Sequence, residues 1–286
     1  MTTLSESRPE PEPPPVRSTV IRPRSGWIAI DWGELWEARE LLYFLVLRDV
    51  TVRYKQTVLG VAWTVLQPVF SMLIFTVIFG RLAGMPSDGA PYAIFVYAGL
   101  LPWMFFSNAI TSSAQSLVNQ QALLTKIYLP RLFVPAASIG GGLVDLGVSS
   151  VVFCALLAFY RTMPDWGVLA VPLLVLLTVM TSLGVGLCLA ALTVTYRDFR
   201  YVVPFMVQAW MYVSPVIYPV SLVPEKWQWL LAINPMAGII DAFRSALLGK
   251  PWNFVTLSVS AVSACLLLAY GLFYFRKTER RFADVA

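Results

Sequence analysis

Residues 61–79 read VAWTVLQPVFSMLIFTVIF, nineteen consecutive positions without a charged side chain. A hydrocarbon layer about 30 Å thick requires about 20 apolar residues in helical form. This stretch therefore predicts a membrane-spanning helix. Because lipid offers no water to satisfy exposed backbone amides, a spanning segment with this continuous apolar pattern must be helical. The stretch places the chain among all-α membrane proteins.

Five further stretches have the same apolar character. They run between Asp88 and Lys126 from about Tyr92, from about Leu132 to Phe159, between Trp166 and Arg197, from Tyr201 to about Pro219, and from about Asn253 to Phe275. Over the whole chain 58% of residues are hydrophobic and 13% are charged, whereas a soluble domain carries about 25% charged residues. The sequence therefore predicts six transmembrane helices within residues 58–276.

Basic residues are distributed unevenly over the segments outside these spans. Sixteen of the 21 Lys and Arg residues fall in the two termini and in the loops that six spans place on the same side, and five fall on the other side. Positive residues accumulate on the cytoplasmic side of a membrane. Both termini are therefore predicted to lie on the cytoplasmic side of a bacterial inner membrane. The net charge of +5 then reflects topology, and we expect no nucleic-acid partner.

The segments before and after the spans are predicted to lie on the cytoplasmic side. Residues 1–33 are predicted to form a proline-rich, disordered tail without the apolar region of a signal peptide, and residues 277–286 are predicted to form a second tail. Residues 34–57 are predicted as an amphipathic helix in the membrane interface. Its apolar stripe consists of Trp36, Tyr43, Leu47, Val50 and Tyr54. The alternative is a cytosolic helix packed on the bundle.

Two segments between the spans have unusual patterns. Residues 107–131 continue an uncharged run with polar side chains, which predicts that the second span extends as a helix into the cytoplasm. Residues 220–251 contain apolar pieces too short to cross a membrane, interrupted by prolines and by the break at Asn234-Pro235. This pattern favours a re-entrant helical hairpin on the outer face, which we call the gate hairpin. An ordinary amphipathic surface loop is the alternative.

Several kinds of chemistry are missing from the sequence. The chain contains no His, and its three Cys residues are isolated in apolar runs, so neither His-based catalysis nor a zinc or redox pair is indicated. No GxxxxGK[ST] segment occurs, so the chain lacks the usual loop for ATP phosphates. We therefore expect this chain to bind no cofactor and to have no enzymatic site of its own.

Asp145 is the only charged residue inside a predicted span. A charged residue at such a position is a candidate functional group, but it can also bond across a close contact between helices. If its role is structural, Asp145→Asn should leave transport largely intact in an export assay. Complete loss of transport with normal assembly would instead assign it a function.

The stretch RDVTVRYKQTVLGVAWTVLQP over residues 48–68 resembles the opening signature of type-2 ABC transporter permeases that export polysaccharide. The matching positions are Arg53, Tyr54, Leu59, Gly60, Trp63 and Pro68. Similar segments follow in the same order at residues 98–106, 123–135, 196–219 and 233–249. The resemblance extends over about residues 34–276 and is closer to the O-antigen, capsule or teichoic-acid branch than to the drug-export branch.

This resemblance implies a function and a set of partners. The chain would form a homodimer that associates with two ABC ATPase subunits, which bind ATP and Mg and hydrolyse the ATP. The cargo would be a polyprenyl- or lipid-linked glycan, with O-antigen as the leading example, and membrane lipid would surround the dimer. The alternatives are a type-2 ABC exporter of drugs or other lipids, a membrane-bound glycan-modifying enzyme, and a scaffold without a transport role.

Three groups of candidate site residues follow. The residues expected to couple to the ATPase are Arg48, Arg53, Tyr54, Lys55, Lys126, Arg131, Tyr196, Arg197 and Asp198. The gate candidates are Pro224, Trp227, Asn234 and Pro235. Aromatic rings can stack on the flat faces of sugars, which makes Phe70, Phe75, Phe79, Trp103, Phe105, Phe106, Trp210, Tyr212 and Tyr218 the candidates for a glycan tunnel. Each of these aromatic residues could equally belong to a packed core or a membrane interface.

Overall fold

A computed structural model of the chain describes residues 32–55, 60–124, 129–163 and 165–279. Its α-helices are α1 (Trp32–Glu37), α2 (Arg39–Lys55), α3 (Gly60–Phe75), α4 (Tyr92–Asn119), α5 (Gln121–Leu124), α6 (Phe133–Phe159), α7 (Val171–Thr195), α8 (Phe199–Val213), α9 (Glu225–Ile233), α10 (Pro235–Leu248) and α11 (Phe254–Glu279). A π-helical segment, Thr76–Leu82, follows α3, and short 3₁₀ segments occur at Trp166–Ala170 and Val220–Leu222. The described ranges contain no strand, so the prediction of an all-α protein is confirmed.

Within the described ranges, five helices are long and apolar enough to cross a membrane. They cover Ala62–Leu82, Tyr92–Asn119, Phe133–Phe159, Trp166–Thr195 and Phe254–Glu279. These bounds match five of the six predicted spans to within a few residues. The second of them is a single helix of 28 residues, about 42 Å long at 1.5 Å per residue. Its length agrees with the prediction that this span continues beyond the apolar layer.

The predicted span over residues 201–219 differs from the observed structure. α8 ends at Val213 and is about 22 Å long, which is short of the hydrocarbon thickness. Ser214 is extended, with φ −89° and ψ 145°, because the proline that follows it disfavours the helical conformation. The expectation of a continuous helix to Pro219 is therefore wrong for residues 214–219, and the six-span topology stays a prediction.

α4 is the central helix of the bundle. It packs against α3, α6, α7 and α10, and the side chains of Phe95, Tyr97 and Phe106 on it are fully buried. α7 and α11 cross at unusually short range, since a Cβ on Gly184 would lie 2.5 Å from the backbone carbon of Leu267. Small residues at helix contacts in membrane proteins permit such close approach.

The predicted interface helix forms two helices, α1 and α2, separated by a turn at Ala38. α2 packs on the first half of α6, and it buries a face that includes Leu45 and the partly buried Val46. Trp36 and Tyr43 of the predicted stripe are 71% and 61% exposed. α2 therefore packs on the bundle with one face, and of the predicted stripe only Trp36, Tyr43 and Leu47 are exposed, while Val50 and Tyr54 are partly buried. We call this end of the molecule the α2 end.

The gate hairpin consists of α9 and α10, which meet at the predicted break. The two helices are bent by 103° across Asn234 and Pro235. α10 ends at Gly249, whose φ of 67° lies in the left-handed region that glycine adopts without strain. Because α10 packs on the beginning of α4 and on α11, the hairpin lies at the end of the bundle opposite α2. We call it the hairpin end.

Candidate transport site

A cavity of about 650 Å³ lies between α3, α4, α6 and α8. α4 lines it from Tyr97 to Ser112, a distance of about 22 Å along the helix. The other helices contribute Trp63, Thr64, Gln67 and Pro68 from α3, Gly142, Asp145, Leu146 and Ser149 from α6, and Pro204, Val207 and Gln208 from α8. Trp63, Gln67 and Gln208 are exposed, so the cavity opens sideways between α3 and α8.

Polar groups that can bind a hydroxylated ligand line this cavity. Gln67 and Asn108 carry side-chain amides that make no hydrogen bond within the described residues. Each amide offers both donors and an acceptor. The hydroxyl of Thr111 donates to the carbonyl of Ser107 at 2.7 Å, which leaves its oxygen free to accept a further bond. The lining therefore combines hydroxyls and amides with apolar side chains.

One ion pair lies at the α2 side of the cavity. The carboxylate of Asp145 accepts hydrogen bonds from the guanidinium of Arg53 and from the hydroxyl of Tyr54. Partial burial raises the pKa of Tyr54, and its donation to Asp145 adds to that rise. Asp145 thus bonds across the contact between α2 and α6, which fits the structural explanation of this residue. Arg53 and Tyr54, predicted to couple to an ATPase, meet α6 instead of pointing away from the bundle.

The remaining coupling candidates divide into two kinds. Arg48 donates to Gln120 at the end of α4 at 2.7 Å, and Arg131 donates to the carbonyl of Glu279 at 2.9 Å. These two residues hold the α2 end together. Lys55 and the turn that contains Tyr196, Arg197 and Asp198 are exposed. Lys126 lies outside the described residues.

Asn234 is the junction between the gate hairpin and α8. Its side-chain oxygen accepts from the backbone N–H of Met236 at 3.1 Å, which caps α10. The same oxygen accepts from the indole N–H of Trp210 at 3.0 Å, and its amide donates to the hydroxyl of Ser214 at 2.9 Å. Trp210 in turn packs edge-on against Phe106 of α4, with ring centroids 5.1 Å apart. The hinge of the hairpin is therefore connected to the helices that line the cavity.

Arg244 anchors the other arm of the hairpin. It is 1% exposed, and its guanidinium donates to the carbonyls of Phe95, Val216 and Tyr218 at 3.3, 2.6 and 3.3 Å. The same group lies over the ring of Phe95, 3.7 Å from the centroid, in a cation–π arrangement. These contacts join α10 to α4 and to the segment after α8.

A polar cluster covers the outside of this anchor. Lys250 donates to the carbonyl of Ser87 at 3.0 Å and pairs with the carboxylate of Asp88 at 3.3 Å. Ser221 donates to the other oxygen of the same carboxylate at 2.8 Å. Burial lowers the pKa of Lys250, and the neighbouring Asp88 opposes that shift. The cluster links the loops on either side of the hairpin.

The predicted tunnel residues are dispersed. Of the nine, Phe105 lines the cavity. Trp103 and Phe106 are buried in the core, and Phe75, Phe79 and Trp210 pack against it. Phe70 and Tyr212 are exposed, whereas Tyr218 donates to the carbonyl of Val213 at 3.1 Å. Aromatic content alone does not identify the lining.

Residues that the sequence analysis did not select supply most of the polar lining. They include Gln67, Asn108, Ser149 and Gln208. The polar run in the second half of α4 was a usable signal, since a buried helix with many hydroxyls and amides must direct them toward water or a ligand. Arg244 was also missed, although it is the one cation of a mostly apolar helix. Within the residues that the structure describes, no three His, Cys, Asp or Glu side chains gather as a metal site.

The long apolar helices, the laterally open polar cavity and the bent hairpin define a multi-pass membrane transport protein. The ABC-2 type transporter family matches residues 40–248, and the chain belongs to this family. It is 30% identical over 251 residues to the O-antigen export system permease protein RfbA of Myxococcus xanthus, covering 86% of this chain and 96% of that protein.

Two further relatives extend the comparison. The polysialic acid transport protein KpsM of Escherichia coli is 23% identical over 240 residues, covering 82% of this chain and 92% of the relative. The inner membrane transport permease YadH of Escherichia coli (strain K12) is 29% identical over 220 residues, covering 73% of this chain and 85% of that protein. These similarities support the predicted permease class, and they span nearly the whole described structure.

Proposed function

We propose that this chain is the membrane-spanning subunit of an ATP-driven exporter that moves lipid-linked surface polysaccharide, of the O-antigen kind, across the bacterial inner membrane. The observation that carries the proposal is the laterally open cavity lined by amides and hydroxyls on α3, α4, α6 and α8. A sugar chain presents hydroxyl groups that both donate and accept hydrogen bonds, so such a lining suits it. The names of RfbA and KpsM point to the same class of cargo.

The proposed energy source is a partner. Two copies of this chain would assemble with two ABC ATPase subunits, which hold the ATP and Mg. The exposed turn at Tyr196–Asp198 and the exposed Lys55 are suited to docking such a partner. Both termini would then lie on the ATPase side of the membrane, as the distribution of basic residues predicts.

The proposed mechanism couples the α2 end to the cavity. ATP binding would move α2 together with α3 relative to α8, which widens the lateral opening between Trp63 and Gln208. The pairing of Arg53 and Tyr54 with Asp145 supports this route because it links α2 to a wall of the cavity. A ligand shifts a conformational equilibrium only through a difference in its affinity for two states. Nucleotide must therefore favour one position of α2.

The alternative cargo, a drug or another lipid, fits the cavity less well. An apolar drug leaves the amides of Gln67 and Asn108 without hydrogen-bond partners, and unsatisfied polar groups weaken binding. The hydroxyl groups of a glycan in the cavity can form hydrogen bonds with both amides. For this reason polysaccharide export is the function that the geometry supports best.

A deletion strain tests the proposed function. Loss of surface polysaccharide with accumulation of lipid-linked glycan in the cytoplasm is expected, and normal surface polysaccharide would contradict it. Complementation with Asn108→Trp, which fills the cavity, should restore little export. Val151→Trp is the matched control, because Val151 lies on the exposed face of α6, and it should restore export fully.

Coupling to the ATPase is tested separately. Arg197→Glu and Lys55→Glu, both at exposed positions, should preserve assembly of the complex but separate ATP hydrolysis from export. The measurement is ATP hydrolysed per glycan delivered, in membranes that contain equal amounts of the complex. Unchanged coupling in both variants would contradict the assignment of these residues.

A further inference from the structure

The charge of the cavity is informative about its cargo. Among the described residues that line it, the charged groups are Arg53 and Asp145, and these two form an ion pair with each other. The rest of the polar lining consists of uncharged hydroxyl and amide groups. As far as the described residues form it, the lining therefore has no net charge, and its one cation already has a carboxylate partner.

Two cations at the hairpin end are also committed to other partners. Arg244 donates to three backbone carbonyls at the hairpin end, and Lys250 pairs with Asp88. A second copy of this chain in a homodimer would bring an identical lining. Dimer formation thus repeats the neutral lining and adds no cation to it from these residues.

Such a lining treats neutral and acidic sugar chains differently. A neutral hexose exchanges its hydrogen bonds to water for bonds to Gln67, Asn108 and Ser149. An acidic sugar must also lose part of the hydration of its carboxylate, and a site without a free cation does not compensate that loss.

We propose that this cavity selects uncharged glycans and discriminates against polyanionic ones. The inference rests on the proposed function and names the substrate class of the same site. It separates this chain from a transporter of polysialic acid, a polymer with a carboxylate on each sugar, despite the similarity to KpsM. Specificity here is a difference between two transfer rates and arises mainly from the cost imposed on the wrong cargo.

The test uses the complete complex of this chain with its ATPase in proteoliposomes. Two probes carry the same undecaprenyl diphosphate and the same fluorescent group at the far end of the sugar chain. One is a linear glucose oligomer, and the other is the oligomer of equal length in which every glucose is replaced by glucuronic acid. ATP-dependent transfer is measured as protection of the fluorophore from an impermeant quencher. The neutral probe is expected to move at least tenfold faster.

Cavity variants locate the selection. Asn108→Lys adds a cation to the lining and should reduce the ratio of the two rates several-fold by raising transfer of the acidic probe. Gln67→Lys adds a cation at the lateral opening of the cavity. It replaces Asn108→Lys in the experiment if thermal unfolding shows that Asn108→Lys does not fold. Met163→Lys is the matched control, because Met163 is 89% exposed in the loop after α6, and it should leave the ratio unchanged.

The possible failures are distinguishable. Equal or faster transfer of the acidic probe by the unmodified complex overturns the charge selection but leaves glycan export in place. A tenfold preference that folded Asn108→Lys and Gln67→Lys complexes both retain overturns the assignment to this cavity. Transfer of neither probe by a complex that hydrolyses ATP overturns the proposed function together with the inference.

Discussion

The two arms of the gate hairpin, α9 and α10, are adjacent in sequence but differ in their surroundings. α9 buries Leu231, while Trp227 and Trp229 are 52% and 61% exposed. α10 buries nearly its whole length, from Pro235 to Leu247, including Arg244. Both arms are rich in apolar residues, so hydrophobicity does not explain the difference. What separates them is that α10 packs on α4, α7 and α11, whereas α9 contacts α11 and α10 and leaves most of its large apolar side chains exposed.

This difference indicates which arm can move. α10 is held by the bonds of Arg244 to three carbonyls and is capped by Asn234. α9 makes few buried contacts, and segments of this kind are the ones that open locally at low free-energy cost. We expect α10 to be the fixed part of the hairpin and α9 to be the part that changes position during export.

The largest effect on stability is expected from removing the side chain of Arg244, which anchors α10. Arg244→Ala leaves the carbonyls of Val216 and Tyr218, which lie outside the helices, without this donor, and each unsatisfied group costs about 1–3 kcal/mol. The free energy of unfolding should therefore fall by about 3 kcal/mol or more, measured by thermal unfolding of the purified chain in detergent. Arg244→Lys should recover only part of the loss, because an ammonium lacks the planar array of donors.

Lys226→Ala is the control for that experiment. Lys226 is an exposed cation on α9, and surface substitutions usually change stability by less than about 0.5 kcal/mol. If Lys226→Ala destabilised the chain as much as Arg244→Ala, the distinction between a fixed and a free arm would not hold.

A second prediction concerns the space that α4 leaves for the anchor. A Cβ on Gly99 would lie 2.7 Å from a guanidinium nitrogen of Arg244 and 3.1 Å from the carbonyl oxygen of Val216. Gly99→Ala should lower the free energy of unfolding by about 1–3 kcal/mol through overpacking, measured in the same thermal assay. Gly147→Ala is a matched control on α6, since a Cβ there meets no atom within 4 Å, and a comparable loss in it would refute the steric explanation.

A third prediction concerns the hinge between the arms. Asn234→Ala removes the cap of α10 and the bonds to Trp210 and Ser214, and loss of an N-cap alone costs about 1 kcal/mol. Asn234→Asp keeps the acceptor for Met236 and Trp210 but loses the amide that donates to Ser214. It should therefore retain most of the stability, and equal loss in both variants would show that the cap is not the important contact.

The smallest effect on stability is expected in α9. Trp227→Ala and Trp229→Ala should change the free energy of unfolding by less than about 0.5 kcal/mol, because both rings are largely exposed. Export should nevertheless decline in at least one of them, measured as surface polysaccharide per molecule of the chain in the membrane. Lower stability without lower export would make α9 a structural element and would reverse the assignment of the two arms.

The class of the fold and most helix positions follow from the amino-acid sequence alone. Uncharged runs of about 20 residues have one stable form in lipid, so five spans were located to within a few residues. Asn234-Pro235 was recognised as a break because its chemistry is local: a capping amide before a proline stops one helix and starts the next. The early end of α8 also has a local cause, which is Pro215 after Ser214. The apolar character of residues 201–219 nevertheless predicted a longer helix.

Which side chains face one another depends instead on how the helices pack together. The ion pair between Arg53 and Asp145 joins residues 92 positions apart, and Arg244 meets the carbonyl of Phe95 over 149 positions. Hydropathy cannot separate an aromatic ring that lines a cavity, such as Phe105, from one buried beside it, such as Phe106. The direction in which a side chain points from its helix identifies its partner only when the neighbouring helices are in place, because an apolar surface can be covered by lipid or by protein.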